Sequence, residues 1–350
     1  MSSGPLLTVR DLGVSFTAEE GVVRAVDGVT FDLLPGEVLA VVGESGCGKS
    51  VMAMTLMGLT RFPNARFEGT AHYKGLELID AGEEELRRIR GAEIAMIFQD
   101  PMSSLNPVMR VGEQIIEQIQ AHEGVPATEA RERVAQLLDR VGIPRARDRV
   151  DAYPFELSGG MRQRVMIALA LSCGPSVLIA DEPTTALDVT IQAQILHQIQ
   201  SLRDETGAAV ILVTHDLGVV AEIADRIAVM YAGRIVEQGT VNAIFYDPQH
   251  PYTWGLLGSI TRVDRARPER LPAIAGLPPS LADRPEGCHF RPRCPHEFDR
   301  CRDVPPLVAR IDGDDDHLDR CWLPVEEKRE RREVRPGEIG LGRKPGAAAA

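Results

Sequence analysis

The stretch VLAVVGESGCGKSVMAMTLMGL, residues 38–59, decides the fold. Val38–Val42 is an unbroken apolar run, as a strand covered on both faces requires, and the segment after Ser50 reads as a buried helix. Between them Gly43–Ser50, GESGCGKS, fits the phosphate-loop pattern G-x-x-x-x-G-K-[ST]. Glycines let backbone N–H groups turn inward around a polyphosphate, and the helix start adds its positive dipole end. Lys49 can then reach the outer phosphates, and Ser50 can ligate Mg²⁺. Gly43, Ser45, Gly46, Cys47, Gly48, Lys49 and Ser50 are therefore candidate nucleotide-binding residues, with Cys47 read as a small filler and not as a redox switch.

Working outward, residues 6–42 read as short strands closing on a Pro35-Gly36 turn. Residues 94–98 form another apolar strand ending at Gln99. Val111, Ile115 and Ile119, then Ala130, Val134, Leu137, Leu138 and Val141, mark single helical faces, so a helical insert over about 100–165 is expected. Strand–helix alternation resumes with SVLIADE, a helix ending at Gly207, the strand AAVILVTH and a hairpin turning at Ala232-Gly233. The expected class is α/β: a mainly parallel sheet with an antiparallel β subdomain, the helical insert, and a small C-terminal cysteine-rich domain. Domain limits are expected at 1–245 and 246–325, with 326–350 a disordered tail because it is charged and then Gly/Ala-rich. No internal repeat is visible, so there is one nucleotide cassette.

SVLIADE places Asp181 and Glu182 at the tip of a buried strand, where one carboxylate can hold Mg²⁺ and the next can polarise water. Gln99 and His215 stand at the ends of neighbouring apolar strands and, taken alone, read as polar caps. LSGGMRQR, Leu157–Arg164, puts a second anion-binding turn before a helix, although the chain already has one at Gly43. Two phosphate cradles with one pair of acids imply that two chains meet head to tail, each covering the other's nucleotide.

With these residues in order over residues 6 to about 240, the sequence resembles the ATPase subunits of ABC transporters. Gly43–Ser50 resembles Walker A and Val177–Glu182 Walker B; Leu157–Gln163 is similar to the signature, with Met161 where Gln is commonest. Gln99 matches the Q-loop, Ala186-Leu187-Asp188 the D-loop, His215 the switch histidine, and Phe16 the aromatic that stacks on adenine. The resemblance implies Glu182, His215 and Gln99 as catalytic residues, and Mg²⁺ held through Ser50, Gln99 and Asp181. It also implies that Ser158, Gly159, Gly160 and Gln163 act on the partner's ATP, with Asp188 beside them. A narrower likeness, to the oligopeptide/dipeptide permease branch, comes from His250–Thr253, Gly276–Pro279, GCHFRPRCPHEFDRC and DPMSSLNP (Asp100–Pro107). It implies a peptide importer's motor at the cytoplasmic face of the membrane. Its partners would be a second, related ATPase, two membrane permease subunits docking at the helical insert beside Gln99, and an extracytoplasmic peptide-binding protein.

Cys288, Cys294, Cys301 and Cys321 read C-x5-C-x6-C-x19-C. Structural zinc usually shows a short C-x2–4-C knuckle, which is missing, whereas a [4Fe–4S] cluster takes four Cys thiolates over wider gaps. The subfamily resemblance implies the same cluster. Zinc, unliganded thiols and disulfides are the alternatives, and His289 and His296 are read as surface polar residues.

Composition narrows the classes. The chain has 350 residues, about two domains at ~150 each, with 44% hydrophobic and 26% charged residues. Lys+Arg 39 against Asp+Glu 51 gives a net charge of −12, which argues against a nucleic-acid surface and hence against an ABC ATPase acting on DNA or the ribosome. No apolar run is long enough to span a bilayer, and MSSGPLLTVRDL lacks the pattern of a secretory signal, so the cytoplasm is expected. A nickel or other small-solute importer of the same branch remains the alternative to peptide import, since other subunits choose the cargo.

Overall fold

A computed structural model describes residues 4–19, 21–100, 104–184, 189–259, 274–311 and 313–332. Two sheets share the first half of the chain. β1 (Leu7–Ala18), β2 (Gly21–Leu33), β4 (Ala65–Tyr73) and β5 (Leu76–Glu77) form an antiparallel sheet in the order β2-β1-β4-β5. Its first two strands are long, 12 and 13 residues, where short strands with turns were expected. Register shifts between Val9 and Ser15, with Asp11 at φ 48°, bend the pair instead of ending it.

The main sheet runs in the order β11 (Val308–Ala309), β12 (Leu318–Asp319), β10 (Arg234–Thr240), β9 (Arg226–Tyr231), β3 (Val38–Val42), β8 (Ala209–Thr214), β7 (Val177–Asp181) and β6 (Ile94–Ile97). Its parallel centre is β3, β6, β7, β8 and β9. The apolar runs of the sequence divide between its faces with period two. Val38, Ala40 and Val42 pack with Leu178, Ala180, Val210 and Leu212 on one side; Leu39 and Val41 pack with Ile179, Ile211 and Val213 on the other. The second face is covered by α1 (Lys49–Leu56), through Met52, Ala53 and Leu56, and by the antiparallel sheet.

After α2 (Glu83–Ile89), the expected helical insert appears as α3 (Val111–Glu123), α4 (Ala127–Arg140) and the short α5 (Ala146–Arg149), leading into α6 (Gly159–Leu171). Its stripe residues Val111, Ile115, Ile119, Val134 and Leu138 join the core of the first face, so the insert has no separate core. α7 (Val189–Thr206) and α8 (Leu217–Ile223) complete the crossovers. The hairpin from β9 to β10 (Arg234–Thr240) turns at Ala232 and Gly233, both at positive φ (44° and 87°), as a two-residue loop requires.

The C-terminal region departs from expectation. A break after residue 245 falls inside α9 (Val241–Tyr246), and α10 (Pro251–Gly258) follows within a few residues. β12 (Leu318–Asp319) pairs with β10 and β11 (Val308–Ala309) pairs with β12, so this region continues the main sheet. Phe290 belongs to the main core, and Cys288 and Cys294 pack against it. A chain segment this poor in periodic apolar residues gains burial by leaning on a larger core. The first residues of the expected tail, 326–332, lie among the described residues. α11 (Val325–Arg331) is helical, because Lys328, inside the charged run, is fully buried and donates to Asp319 Oδ1 at 2.7 Å. The remainder of the expected tail, residues 333–350, lies outside the described residues.

Candidate nucleotide site

The carboxyl ends of four parallel strands bring the site together, the usual place for ligands in open α/β sheets. After β3 the loop Gly43–Gly48 turns into α1. Gly48 sits at φ 104°, and a Cβ there would lie 2.2 Å from Ala25 O; one on Gly43 would lie 2.1 Å from Met230 O. Only glycine fits either position. Lys49 Nζ donates to Gly43 O at 2.8 Å and Glu44 O at 3.0 Å, so the ammonium is already drawn over the loop. Cys47 is buried beside it, and burial raises its thiol's pKa, which suits the filler reading.

After β7, Asp181 Oδ1 accepts from Ser50 Oγ at 3.0 Å. Burial raises the Asp181 carboxyl above its ordinary pKa, the Ser50 hydrogen bond opposes this, and the charge of Glu182 adds to the rise. A buried carboxylate held against a hydroxyl, in need of positive charge, fits a hard cation with oxygen ligands such as Mg²⁺. Glu182 adopts φ 46°, an uncommon conformation for a side-chain-bearing residue, and its N–H donates to Val213 O at 2.8 Å. Its carboxylate is held from both sides. Gln99 Nε2 donates to one oxygen at 3.0 Å, and His215 Nδ1 lies 3.3 Å from the other. Gln99 therefore meets Glu182 and not the Ser50–Asp181 pair. His215 is 57% exposed, free to face a ligand on the open side.

The signature segment lies apart. Ser158 caps α6, accepting from Met161 N at 3.4 Å, and Ser158 and Gly159 face outward. Gln163 is 3% exposed and donates to Pro183 O at 2.7 Å. Five residues beyond Ser158, it has turned to the inner side of the helix, where it braces the segment after Glu182. Phe16 lies near the end of β1, half-buried, with its ring 6.4 Å from that of Phe62. Asp188 and the Pro101–Ser103 part of DPMSSLNP lie outside the described residues.

Among the described residues, no group of three or more His, Cys, Asp or Glu side chains is arranged to hold a metal ion, so the expected metal staple is not formed as a closed coordination group. All six cysteines are unpaired thiols. Cys288, Cys294, Cys301 and Cys321 nonetheless line one cavity with His250, Phe290 and Leu323. Burial pushes Cys294 and Cys321 up to about 12 and raises Cys288 as well. His289, expected on the surface, is buried and lies 3.1 Å from Ala232 O, while the His296 ring packs edge-on against Trp254 at 5.6 Å.

Residues 26–185 match the ABC transporter family, and residues 236–301 match the C-terminal region of the oligopeptide/dipeptide transporters. The chain is 52% identical over 322 residues to the oligopeptide transport ATP-binding protein OppD of Salmonella typhimurium, covering 92% of this chain and 95% of that protein. The chain belongs to the ABC transporter family. It is an ATPase subunit of that family, and the likeness runs nearly end to end. The dipeptide transport ATP-binding protein DppD of Bacillus subtilis is 50% identical over 334 residues, 95% of this chain and 98% of that one. Among solved structures, the ATP-binding cassette MJ0796, a dimer bound to ADP and Pi after hydrolysis, superposes with TM-score 0.61 at 27% identity, covering 67% of this chain and 98% of that chain. CbiO1 from Clostridium perfringens, part of the transporter complex cbiONQ, gives 0.57 at 29% identity, covering 69% and 91%. Sequence reading missed the contacts of Glu44, Tyr252 and Arg293 around the loop. Their only trace was that HPYT and FRPRC looked like marks of a subfamily.

Proposed function

We propose that the chain is the ATP-hydrolysing motor of an importer for di- or oligopeptides. Near-50% identity to OppD and DppD over more than nine-tenths of the chain carries the reading. Glu182 accepts the proton of the attacking water, and Gln99 and His215 fix its two oxygens for that purpose. Lys49 and the loop N–H groups bind the phosphates, and Phe16 stacks on the adenine. Ser50 and Asp181 would hold Mg²⁺, which when bound would offset negative charge on the phosphates. Ser158–Gly160 of a second cassette cover the γ-phosphate. Their outward exposure and the dimeric state of MJ0796 support that pairing.

The second cassette is a related chain or a copy of this one. Two permease subunits dock against the helical insert, where Val108 and Phe155 are exposed, and a binding protein outside the membrane delivers the peptide. The cassette would sit at the cytoplasmic face of the membrane, a reading that its likeness to importer ATP-binding proteins supports. The four-cysteine cavity has the donor set of a [4Fe–4S] cluster, held by Cys288, Cys294, Cys301 and Cys321, which would staple four segments together. The wide spacing of the four cysteines, with no short C-x2–4-C knuckle, favours the cluster over zinc.

Reconstituted transporter in proteoliposomes tests the cargo. ATP-dependent uptake of labelled di- and oligopeptides supports the reading, whereas uptake of Ni²⁺ without peptide overturns it. Anaerobic purification tests the cluster: brown protein with about four irons per chain supports it, and colourless protein carrying zinc refutes it.

A further inference from the structure

The second residue of the phosphate loop is held by residues more than 200 positions away. Glu44 N–H donates to the Tyr252 hydroxyl at 2.9 Å. The Glu44 carboxylate receives both arms of Arg293, Nη1 to Oε2 at 2.7 Å and Nη2 to Oε1 at 3.0 Å. A guanidinium fork on a carboxylate is the strong, direction-setting form of an ion pair. Here it is also rigid. The Arg293 side chain is 5% exposed, and its remaining donors are satisfied: Nε to Ala275 O at 2.9 Å, Nη1 to Tyr231 Oη at 3.3 Å, Nη2 to Ile274 O at 3.3 Å. Tyr252 is equally fixed, its ring 4.6 Å from Tyr231 and 5.5 Å from Phe290. One helical turn on, Leu256 lines a pocket with Gly43, Ser45 and His215.

Lys49 supplies the loop's own tie, through the Gly43 and Glu44 carbonyls. Its three donors must be shared once a polyphosphate arrives, and that tie then weakens. The grip from Tyr252 and Arg293 uses different atoms of Glu44 and is not drawn on by the ligand. We infer that Arg293 and Tyr252 are positioning residues for nucleotide binding, presetting the Glu44 peptide so that the phosphate loop is already shaped when ATP enters. The inference rests on the loop being the ATP site. It makes the C-terminal region part of that site.

Equilibrium binding of ATP to the purified full-length chain, with steady-state hydrolysis by the assembled complex, tests it. Binding by the unaltered chain checks the ATP reading; the ratio of variant to unaltered Kd checks the inference. Arg293→Met and Glu44→Ala should each raise Kd about tenfold, the loss expected for a buried charge-assisted pair. The double variant should be no worse than either single one, and Arg293→Lys should recover only part. KM for ATP should rise in step with Kd, while kcat at saturating ATP changes by less than about twofold. Tyr252→Phe removes one hydroxyl from an otherwise unchanged ring and should raise Kd about threefold, so it serves where Arg293→Met does not fold. A Kd within about twofold of the unaltered chain for both Glu44→Ala and Tyr252→Phe overturns the inference. So does a double variant whose losses multiply independently, or a loss confined to kcat.

Discussion

Gly43–Ser50 and Leu157–Gln163 both put a glycine-rich turn at the start of a helix, yet only the first is finished within its own chain. Around the first, Lys49, Asp181, Tyr252 and Arg293 satisfy the loop from four directions. Around the second, among the described residues, Ser158 accepts from Met161 of its own helix, and Gln163 donates to Pro183 inside the chain. On the proposed reading the first half-site binds nucleotide by itself and the second covers nucleotide carried by another cassette, so turnover needs both chains.

The contrast can be broken by substitution. The largest effect is expected for Glu182→Gln: phosphate release by the assembled pair should fall about 10³-fold while ATP binding persists. Light scattering should then show an ATP-dependent dimer that no longer dissociates, and continued turnover would remove Glu182 from its role. Lys49→Ala and Ser158→Arg sharpen the comparison directly. Lys49→Ala should abolish ATP binding by the isolated chain. Ser158→Arg should leave that binding within about twofold yet lower hydrolysis by the pair about 100-fold, because only the facing surface is blocked. Equal loss of binding in the isolated chain would mean that the two turns serve one site.

Smaller effects concern the region that grips the loop. Lys328→Met strands the buried Asp319 carboxylate and should cost about 3 kcal/mol, read as a lower thermal midpoint. Asp319→Asn combined with Lys328→Met should recover much of it. The smallest effect is a pH slope. Burial, with Lys328 nearby, pushes His250 down to about 3, so the folded chain leaves it neutral where the unfolded chain protonates it. Stability should therefore fall as pH drops below about 6.5, by at most about 1.4 kcal/mol per unit from this residue. Thermal melts of His250→Asn, which keeps an acceptor for Tyr252 N–H, should show a shallower slope.

What could be read from the sequence was local or periodic. The loop, the buried strands and the helical stripes carry their meaning within a few residues, and all are found in place. Glu182 could be named from its strand end, but its embrace by Gln99 and His215 depends on the parallel neighbours β6, β7 and β8. The burial of Gln163 against Pro183 was not legible, because a motif gives order along the chain and not rotation about the helix. Lys328 looked like one solvated charge among many, and only its partner nine residues back explains its burial. Arg293 and Glu44, 249 positions apart, meet through folding alone.

The pairing of β12 with β10 has a practical corollary. A shortened protein stopped near residue 245, the limit expected from the sequence, would strip the cover from Glu237, whose buried carboxylate is bonded to His317 and to the backbone of Gln249 and His250. It would also leave the backbone of β10 bare along one side, a template for aggregation. Anyone expressing a minimal version for biochemistry should carry the polypeptide through Arg332, where α11 is capped.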